Sequence, residues 1–417
     1  MIARALVLLA ALLMPPLGAG LAAIGPWVPL AHQAATRSEA DSDPSGANTG
    51  ERNERNMILV MIEQSPNRLR PGTAYSSGYG SAQTEAARER LGRTIASEYD
   101  FEFVELWPMP LLGLDCIVIR FTNQYSAAEA ALIVAQHPLV AWAEPDDLYE
   151  TLASVSRQKH RDDPLAALSP TTDGWNLPRL HASWTGRDVT VAIIDTQVDV
   201  DHPDLAGRIK AARNFAPQSP ARPEFHGTEV AGIIAANAGN GIGIAGVAPE
   251  ARILALRACW QRGSSRSSTC TSLNLARAIN YAIERDAKVI NLSLGGPPSR
   301  LLGELFDTAS RRGLAVVAAY DPTLPMGGFP ASHPNVIAVA LMGVSAGRGY
   351  VAPGRDIPTT RPGGGFHFVS GSSYSAAQVS GLLALRYERS RNQGGPWRSL
   401  ARTRSESREI DIAESFD

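Results

Sequence analysis

Val189-Thr190-Val191-Ala192-Ile193-Ile194-Asp195 is an unbroken, mainly apolar run closed by an acid. A strand covered on both faces reads this way, whereas a half-exposed strand alternates. Similar runs recur at Ile253–Leu256, Val289–Leu292, Leu314–Ala319 and Val336–Ala340, with helix-like stretches between them at Leu273–Glu284 and Leu301–Arg312. This alternation predicts an α/β domain, a mostly parallel sheet covered by helices on both faces. Functional groups of such sheets gather at the carboxyl ends of the strands, where Asp195 falls.

Two more segments carry chemistry. His226 opens His226-Gly227-Thr228-Glu229-Val230-Ala231-Gly232, and Ser373 sits in Ser370-Gly371-Ser372-Ser373-Tyr374-Ser375-Ala376-Ala377. A serine hydroxyl is a poor nucleophile until a base takes its proton. Histidine suits that role because it titrates near neutrality, and a carboxylate fixes its tautomer. Taken singly, each residue has a plainer reading. A strand-end Asp is commonly a cap, a His-Gly a turn, and a Ser-rich stretch a loop or helix cap. Their order is more informative, because Asp, His, Ser differs from the His, Asp, Ser of chymotrypsin-type sites and the Ser, Asp, His of α/β-hydrolases.

Together these segments resemble the subtilase family of serine peptidases, over residues 165–390. The resemblance implies a subtilisin-like three-layer fold and peptide-bond hydrolysis with Ser373 as nucleophile, His226 as base and Asp195 as orienting acid. Ser373 is chosen over Ser372 and Ser375 because the family motif Gly-Thr-Ser-Met-Ala places its nucleophile there. Gly371 permits a sharp turn into the following helix, which leaves Ser373 at a helix N-terminus where free N–H groups hold a developing oxyanion. The resemblance also marks Ser293-Leu294-Gly295-Gly296 as substrate-binding, the strand that lines the primary specificity pocket and pairs with the peptide backbone. It further suggests a structural calcium ion. Asp204 and Asn240 would give side-chain oxygens, and Ala238, Ile242 and Ile244 carbonyls. A Gly/Asn loop of this kind also holds its shape without metal.

Three positions depart from the family pattern. Asp-Ser/Thr-Gly becomes Asp195-Thr196-Gln197, and the Ala-Pro after the nucleophile becomes Ala376-Ala377. The Ala-Ala-Gly-Asn that supplies an oxyanion donor aligns with Ala318-Ala319-Tyr320-Asp321. An ionised carboxylate at Asp321 only accepts hydrogen bonds and repels an oxyanion. Either burial keeps Asp321 protonated, another donor replaces it, or the protein is slow or inert.

The rest of the 417 residues reads as additional modules. Arg4, the apolar run Ala5–Met14 and the small residues near Ala22 and Ala23 predict a signal peptide over 1–23. The run falls short of the ~20 residues that span a bilayer, so secretion or periplasmic export, with no stable membrane insertion after signal removal, is expected. Residues 24–56 read as a flexible linker. Residues 57–150 carry strand and helix patterns in the order β-α-β-β-α-β, a small ferredoxin-like α+β domain. By the same family resemblance it is an inhibitory propeptide, a partner of the chain's own peptidase domain, its last strand leading into Glu144-Pro145-Asp146. A freestanding binding domain of that fold is the alternative. Residues 151–164 form a linker in which Arg157-Gln158-Lys159-His160-Arg161 is a candidate maturation site or a solvated charge run. Residues 391–417 read as a polar, Arg-rich, loosely ordered tail.

Composition bounds the partners. With 44% hydrophobic and 19% charged residues the chain is that of a globular protein, and a net charge of -2 gives no footprint for nucleic acid. Three cysteines are too few for a disulfide scaffold, but export would let Cys259 and Cys270 pair and leave Cys116 single. The leading expectation is an exported serine endopeptidase with a polypeptide substrate, made as an autoinhibited precursor. A catalytically impaired binding protein on the same scaffold competes with it, favoured by Asp321 and Gln197. A serine esterase is disfavoured by the residue order and the missing Gly-x-Ser-x-Gly elbow.

Overall fold

In the computed structural model, the run that opens the central sheet is β7 (Thr190–Asp195), buried along its whole length. Its side chains alternate between two cores. Val191 and Ile193 face one, while Ala192 and Ile194 face the other. The structure describes residues 56–64, 79–122, 124–152, 154–155, 165–217, 219–262, 267–345, 347, 349–393, 400–401 and 409–416. The expected signal peptide and most of the first linker lie outside them, as does the basic cluster Arg157–Arg161.

Four strands and two helices come first. They are β1 (Met57–Glu63), α1 (Tyr79–Glu98), β2 (Glu102–Met109), β3 (Leu114–Arg120), α2 (Ala127–Val134) and β4 (Trp142–Pro145). The strands form one antiparallel sheet in the order β2-β3-β1-β4, the ferredoxin-like arrangement the sequence pattern suggests. Ser126 caps α2 in a capping box with Glu129. One face of the sheet, through Ile58, Val60, Ile117 and Ile119, packs with Ile95 of α1 and Val134 of α2. The other, through Leu59, Met61, Cys116 and Val118, joins a core shared with the larger domain.

Two short strands follow, β5 (Leu148–Thr151) and β6 (Ser154–Val155). The larger domain then begins with α3 (Pro170–Gly174) and α4 (Leu177–His181). After β7 come β8 (Ile209–Asn214), α5 (Phe225–Ala235), β9 (Arg252–Arg257), β10 (Cys259–Gln261), β11 (Ser268–Thr271), α6 (Ser272–Glu284), β12 (Val289–Leu292) and β13 (Leu294–Gly295). The last elements are α7 (Arg300–Arg311), β14 (Ala315–Ala319), β15 (Val336–Leu341), β16 (Tyr350–Ala352), β17 (Ile357–Arg361), β18 (Gly365–Ser370), α8 (Ser372–Asn392) and α9 (Ile412–Phe416).

The central sheet runs β16-β15-β14-β12-β7-β9-β8, and its pairings are parallel. Helices α5 and α8 cover the core on one face, and α6 and α7 that on the other. This is the predicted three-layer α/β architecture. The tail differs from expectation. Helix α8 continues to Asn392, and Leu400, Ile410 and Phe416 are buried in the α5–α8 core. A few apolar side chains at wide spacing anchor a segment whose average composition is polar. Among the described residues no helix is long and apolar enough to cross a membrane.

Candidate active site

The parallel register sets Asp195 at the end of β7, beside Arg257 of β9. His226 is the second residue of α5 and Ser373 the second of α8. Strand and helix ends thus bring Asp195 and His226 into contact, while Ser373 precedes Tyr374, whose ring stands 5.8 Å from that of His226. Asp195 is 1% and His226 2% exposed, and both Asp195 oxygens lie 2.8 Å from His226 Nδ1. The Thr196 N–H donates to Asp195 Oδ1 at 2.6 Å, which steadies the carboxylate. Burial pulls the His226 pKa down, but the charge and hydrogen bond of Asp195, with Glu229 further off, hold it above the ordinary value. His226 Nε2 is buried and has no hydrogen-bond partner, leaving it open to accept a proton. Gly227 lets α5 approach β7 closely, since a Cβ there would meet Thr196 O at 2.4 Å.

Gly371 enters α8 at φ 148°, a conformation that favours glycine, and makes the turn that presents Ser373. Behind Ser373, Ser293 Oγ donates to its carbonyl at 3.0 Å, Asn291 Nδ2 to Ser293 Oγ at 2.9 Å, and Ser380 Oγ to Asn291 Oδ1 at 2.9 Å. This buried chain ties the nucleophile helix to β12 and has no signature in the sequence.

The strand expected to bind substrate holds a piece of the chain itself. Leu294 pairs with Thr151 and Gly295 with Glu150, both antiparallel. On the other side β11 pairs Thr269 with Glu150, Cys270 with Tyr149 and Thr271 with Leu148. Strand β5 is therefore sandwiched between β11 and β13. The sequence reading missed β11, although Ser268-Thr269-Cys270-Thr271 is short, β-prone and contains one of the two paired cysteines. Cys259 and Cys270 are disulfide-bonded and lock β10 to β11, while Cys116 is free and buried. Gly296 makes room for β5, because a Cβ there would overlap the Tyr149 ring. Tyr149 is fully buried and donates its hydroxyl to Pro297 O at 2.9 Å.

Leu152 reaches Ser373. Its N–H donates to Ser293 O at 3.3 Å, and its carbonyl oxygen accepts from the Ser373 N–H at 3.3 Å. Ser373 Oγ lies 2.7 Å from that oxygen and 3.0 Å from Ser293 O. Beyond it, Ser154 pairs with Ser370 and Val155 with Val369 of β18. Of the segment read as a linker, residues 151–152 and 154–155 thus pair on either side of Ser373, and the strand-forming part of the first module extends past residue 150.

Two acids fasten the small domain above this thread. Glu144 accepts from Ser299 Oγ at 2.7 Å and from the Arg300 and Leu301 N–H groups at 3.1 and 3.3 Å, capping α7. Asp146 accepts from the Leu273 N–H at 2.8 Å, capping α6. Burial raises the pKa of both carboxyls, that of Asp146 to about 7.

Asp321 follows β14, where the family pattern puts it. It is partly exposed, and its Oδ1 accepts from the Thr323 N–H at 2.9 Å and from Thr323 Oγ1 at 2.6 Å. Among the described residues, the hydrogen bonds on Leu152 O come from Ser373. Gln197 donates its N–H to Glu224 Oε2 at 2.9 Å. Glu224, just before α5, is paired with the buried Arg257 at 3.4 Å. Arg257 also reaches the carbonyls of Ala216, Ser219 and Pro220. This ion pair fixes the loop leading to His226, and an Arg closing an apolar run was its only signal in the sequence.

Asp204 and Asn240 also meet, but through hydrogen bonds. Asn240 Nδ2 donates to Asp204 Oδ1 at 2.7 Å and the Ile244 N–H to Oδ2 at 3.0 Å. Asn240 Oδ1 accepts from the Ile242 N–H at 3.0 Å. A calcium ion needs lone pairs converging on one point, whereas here donors converge on a carboxylate. As arranged, the groups do not fit the ion.

Comparison with known proteins gives a concordant result. The model of the subtilase family matches residues 186–404. The chain is 36% identical over 271 residues to the thermophilic serine proteinase of Bacillus sp. (strain AK1), covering 61% of this chain and 65% of that protein. It is 36% identical over 229 residues to subtilisin E of Bacillus subtilis (strain 168), covering 50% and 58% respectively. The chain therefore spans less than two thirds of the length of either relative. Fervidolysin from Fervidobacterium pennivorans, described as a keratinolytic enzyme related to subtilisin, superposes with a TM-score of 0.59 at 23% identity, covering 81% of this chain and 55% of that one. At that identity the likeness speaks for the fold alone.

Proposed function

We propose that this chain, which belongs to the subtilase family, is an exported serine endopeptidase made as a precursor and inhibited by its own residues 57–152. The observation that carries the proposal is the Leu152 carbonyl at Ser373, with β5 paired into the cleft on one side and β6 on the other. A cleft that pairs a peptide on both edges and ends it at an activated hydroxyl suits an extended polypeptide substrate.

Ser373 Oγ attacks a peptide carbonyl carbon while His226 Nε2 takes its proton, and Asp195 holds the imidazole and stabilises the imidazolium. The Ser373 N–H donates to the resulting oxyanion. Collapse releases the amine with the proton from His226, and water then hydrolyses the acyl-serine. In the precursor the acyl group is that of Leu152, so the first bond cut is Leu152–Ala153. Glu144 and Asp146 hold residues 57–145 against α6 and α7, leaving this domain seated as an inhibitor after the cut.

A second reading, a catalytically impaired binding protein, is favoured by Asp321, whose carboxylate offers no donor to the oxyanion. Fluorophosphonate labelling, with parallel peptide and ester panels, separates the two. The peptidase reading expects label on Ser373 and turnover of peptides. A folded, prodomain-free protein that takes no label contradicts it.

A further inference from the structure

Glu229 is 3% exposed and lies one helical turn beyond His226 on α5. An ionised carboxylate in such a place is costly unless charges and hydrogen bonds meet it. Two side chains do. Tyr374, the residue after the nucleophile, donates its hydroxyl to Glu229 Oε2 at 2.6 Å. His367 Nε2 of β18 lies 2.9 Å from Glu229 Oε1, an ion pair when the ring is protonated, though the nitrogen is not aligned for a hydrogen bond. The Tyr374 ring in turn stands 5.8 Å from the His226 ring, centroid to centroid. One carboxylate thus joins the helix of the base, the helix of the nucleophile and the strand that pairs with residues 154–155.

We propose that Glu229, Tyr374 and His367 form a positioning cluster that holds α5 against α8 and keeps a second buried negative charge beside His226, so that it sets the pH range in which the base works. The proposal rests on the peptidase reading above. The other titratable groups on elements packed against α5 include Asp195 of β7, Arg252 and Arg257 of β9, Asp204, Arg361 at the end of β17, and Arg386, Tyr387, Glu388, Arg389 and Arg391 in the last two turns of α8, where Glu388 accepts from the Thr185, Gly186 and Arg187 N–H groups. Asp195 bonds His226 itself, Arg257 is engaged by Glu224, and Asp204 by Asn240 and Ile244. Arg361 is exposed. Glu229 is therefore the second acid acting on His226. Burial alone would raise its pKa, but His367, His226 and Tyr374 hold it below the ordinary glutamate value, consistent with a carboxylate charged at working pH.

The test follows fluorophosphonate inactivation of processed enzyme from about pH 5 to pH 9, a window that contains the titration of a catalytic histidine. Wild type is compared with Glu229→Gln, Glu229→Asp and Tyr374→Phe. Glu229→Gln is expected to move the acid limb down by about one unit, because a negative charge beside the imidazolium is gone. Glu229→Asp keeps the limb near its wild-type place. Tyr374→Phe retains the charge, so it leaves the limb where it is or raises it, and lowers the maximal rate about tenfold through loosened alignment. A purely structural role predicts lower thermal stability in all three variants with the limb unmoved. That result, in a wild type that labels normally, overturns the proposal and leaves the peptidase reading standing. If Glu229→Gln does not fold, an unchanged maximal rate in Tyr374→Phe overturns it. A wild type that takes no label removes both.

Discussion

The carbonyl oxygen of Leu152 lies 2.7 Å from Ser373 Oγ and 3.3 Å from the Ser373 N–H. Both contacts are hydrogen bonds from Ser373 to that one oxygen, the hydroxyl donating in the first and the backbone N–H in the second. On the proposed peptidase reading this segment occupies the place of a substrate, and the way it is held sets what substitutions and pH should do.

Asp321→Asn replaces an acceptor-only side chain with one able to donate. If the oxyanion hole lacks its second donor, this substitution raises kcat by about 10²–10³, the size known for removal of such a donor in a subtilisin. Steady-state kinetics on a peptide substrate check it. An unchanged or lower kcat would mean that another group already serves the oxyanion.

Docking of the small domain should depend on pH through Asp146, whose carboxyl is raised by burial to about 7. A group with a higher pKa when docked than when free takes up a proton on docking. Its contribution is complete below the free carboxyl's value of about 4 and is lost as pH climbs toward 7. Inhibition of the processed enzyme by the cut small domain should accordingly weaken across that interval. Asp146→Asn should flatten the dependence, which inhibition constants measured at several pH values will show.

Gly296→Ala puts a methyl where the Tyr149 ring lies, 2.3 Å from its nearest carbon. The precursor variant should seat β5 poorly and process at least tenfold more slowly, and Tyr149→Ala in the same chain should recover part of the rate. Equal processing by the single variant and the wild type would show that Tyr149 does not occupy that pocket during the cut.

The Cys259–Cys270 bond holds β10 to β11, one wall of the cleft. Replacing both cysteines by serine should cost about 2–3 kcal/mol of stability, as expected for closing a short loop. It should also raise KM more than it lowers kcat, since β11 pairs with β5 and not with Leu152 at Ser373. Thermal melts and kinetics on one preparation separate these effects.

The meeting of Asp195 and His226 was legible because local chemistry marks both residues. An acid closes a doubly buried strand, and His226 and Ser373 each stand beside the glycine their helix entry needs. The ferredoxin-like order of residues 57–145 was legible for the same reason, since alternation and capping are local signals. The pairing of residues 148–151 and 154–155 beside Ser373 was not. Their partners on β11, β13 and β18 lie more than a hundred residues away, and a short mixed segment records no such pairing. The Arg257–Glu224 pair and the Glu229 cluster were hidden likewise, because a charged residue in sequence reads as solvated until its burial is seen. In the tail, Leu400, Ile410 and Phe416 were masked by the arginines around them.

The most direct test is the intact mass and N-terminal sequence of the purified precursor after incubation, beside Ser373→Ala. Self-processing predicts that the wild type is cut between Leu152 and Ala153, giving a fragment that begins at Ala153, at a rate independent of protein concentration, while Ser373→Ala stays whole. A wild type that stays whole, a first cut within Arg157–Arg161, or the same cut in Ser373→Ala would contradict it.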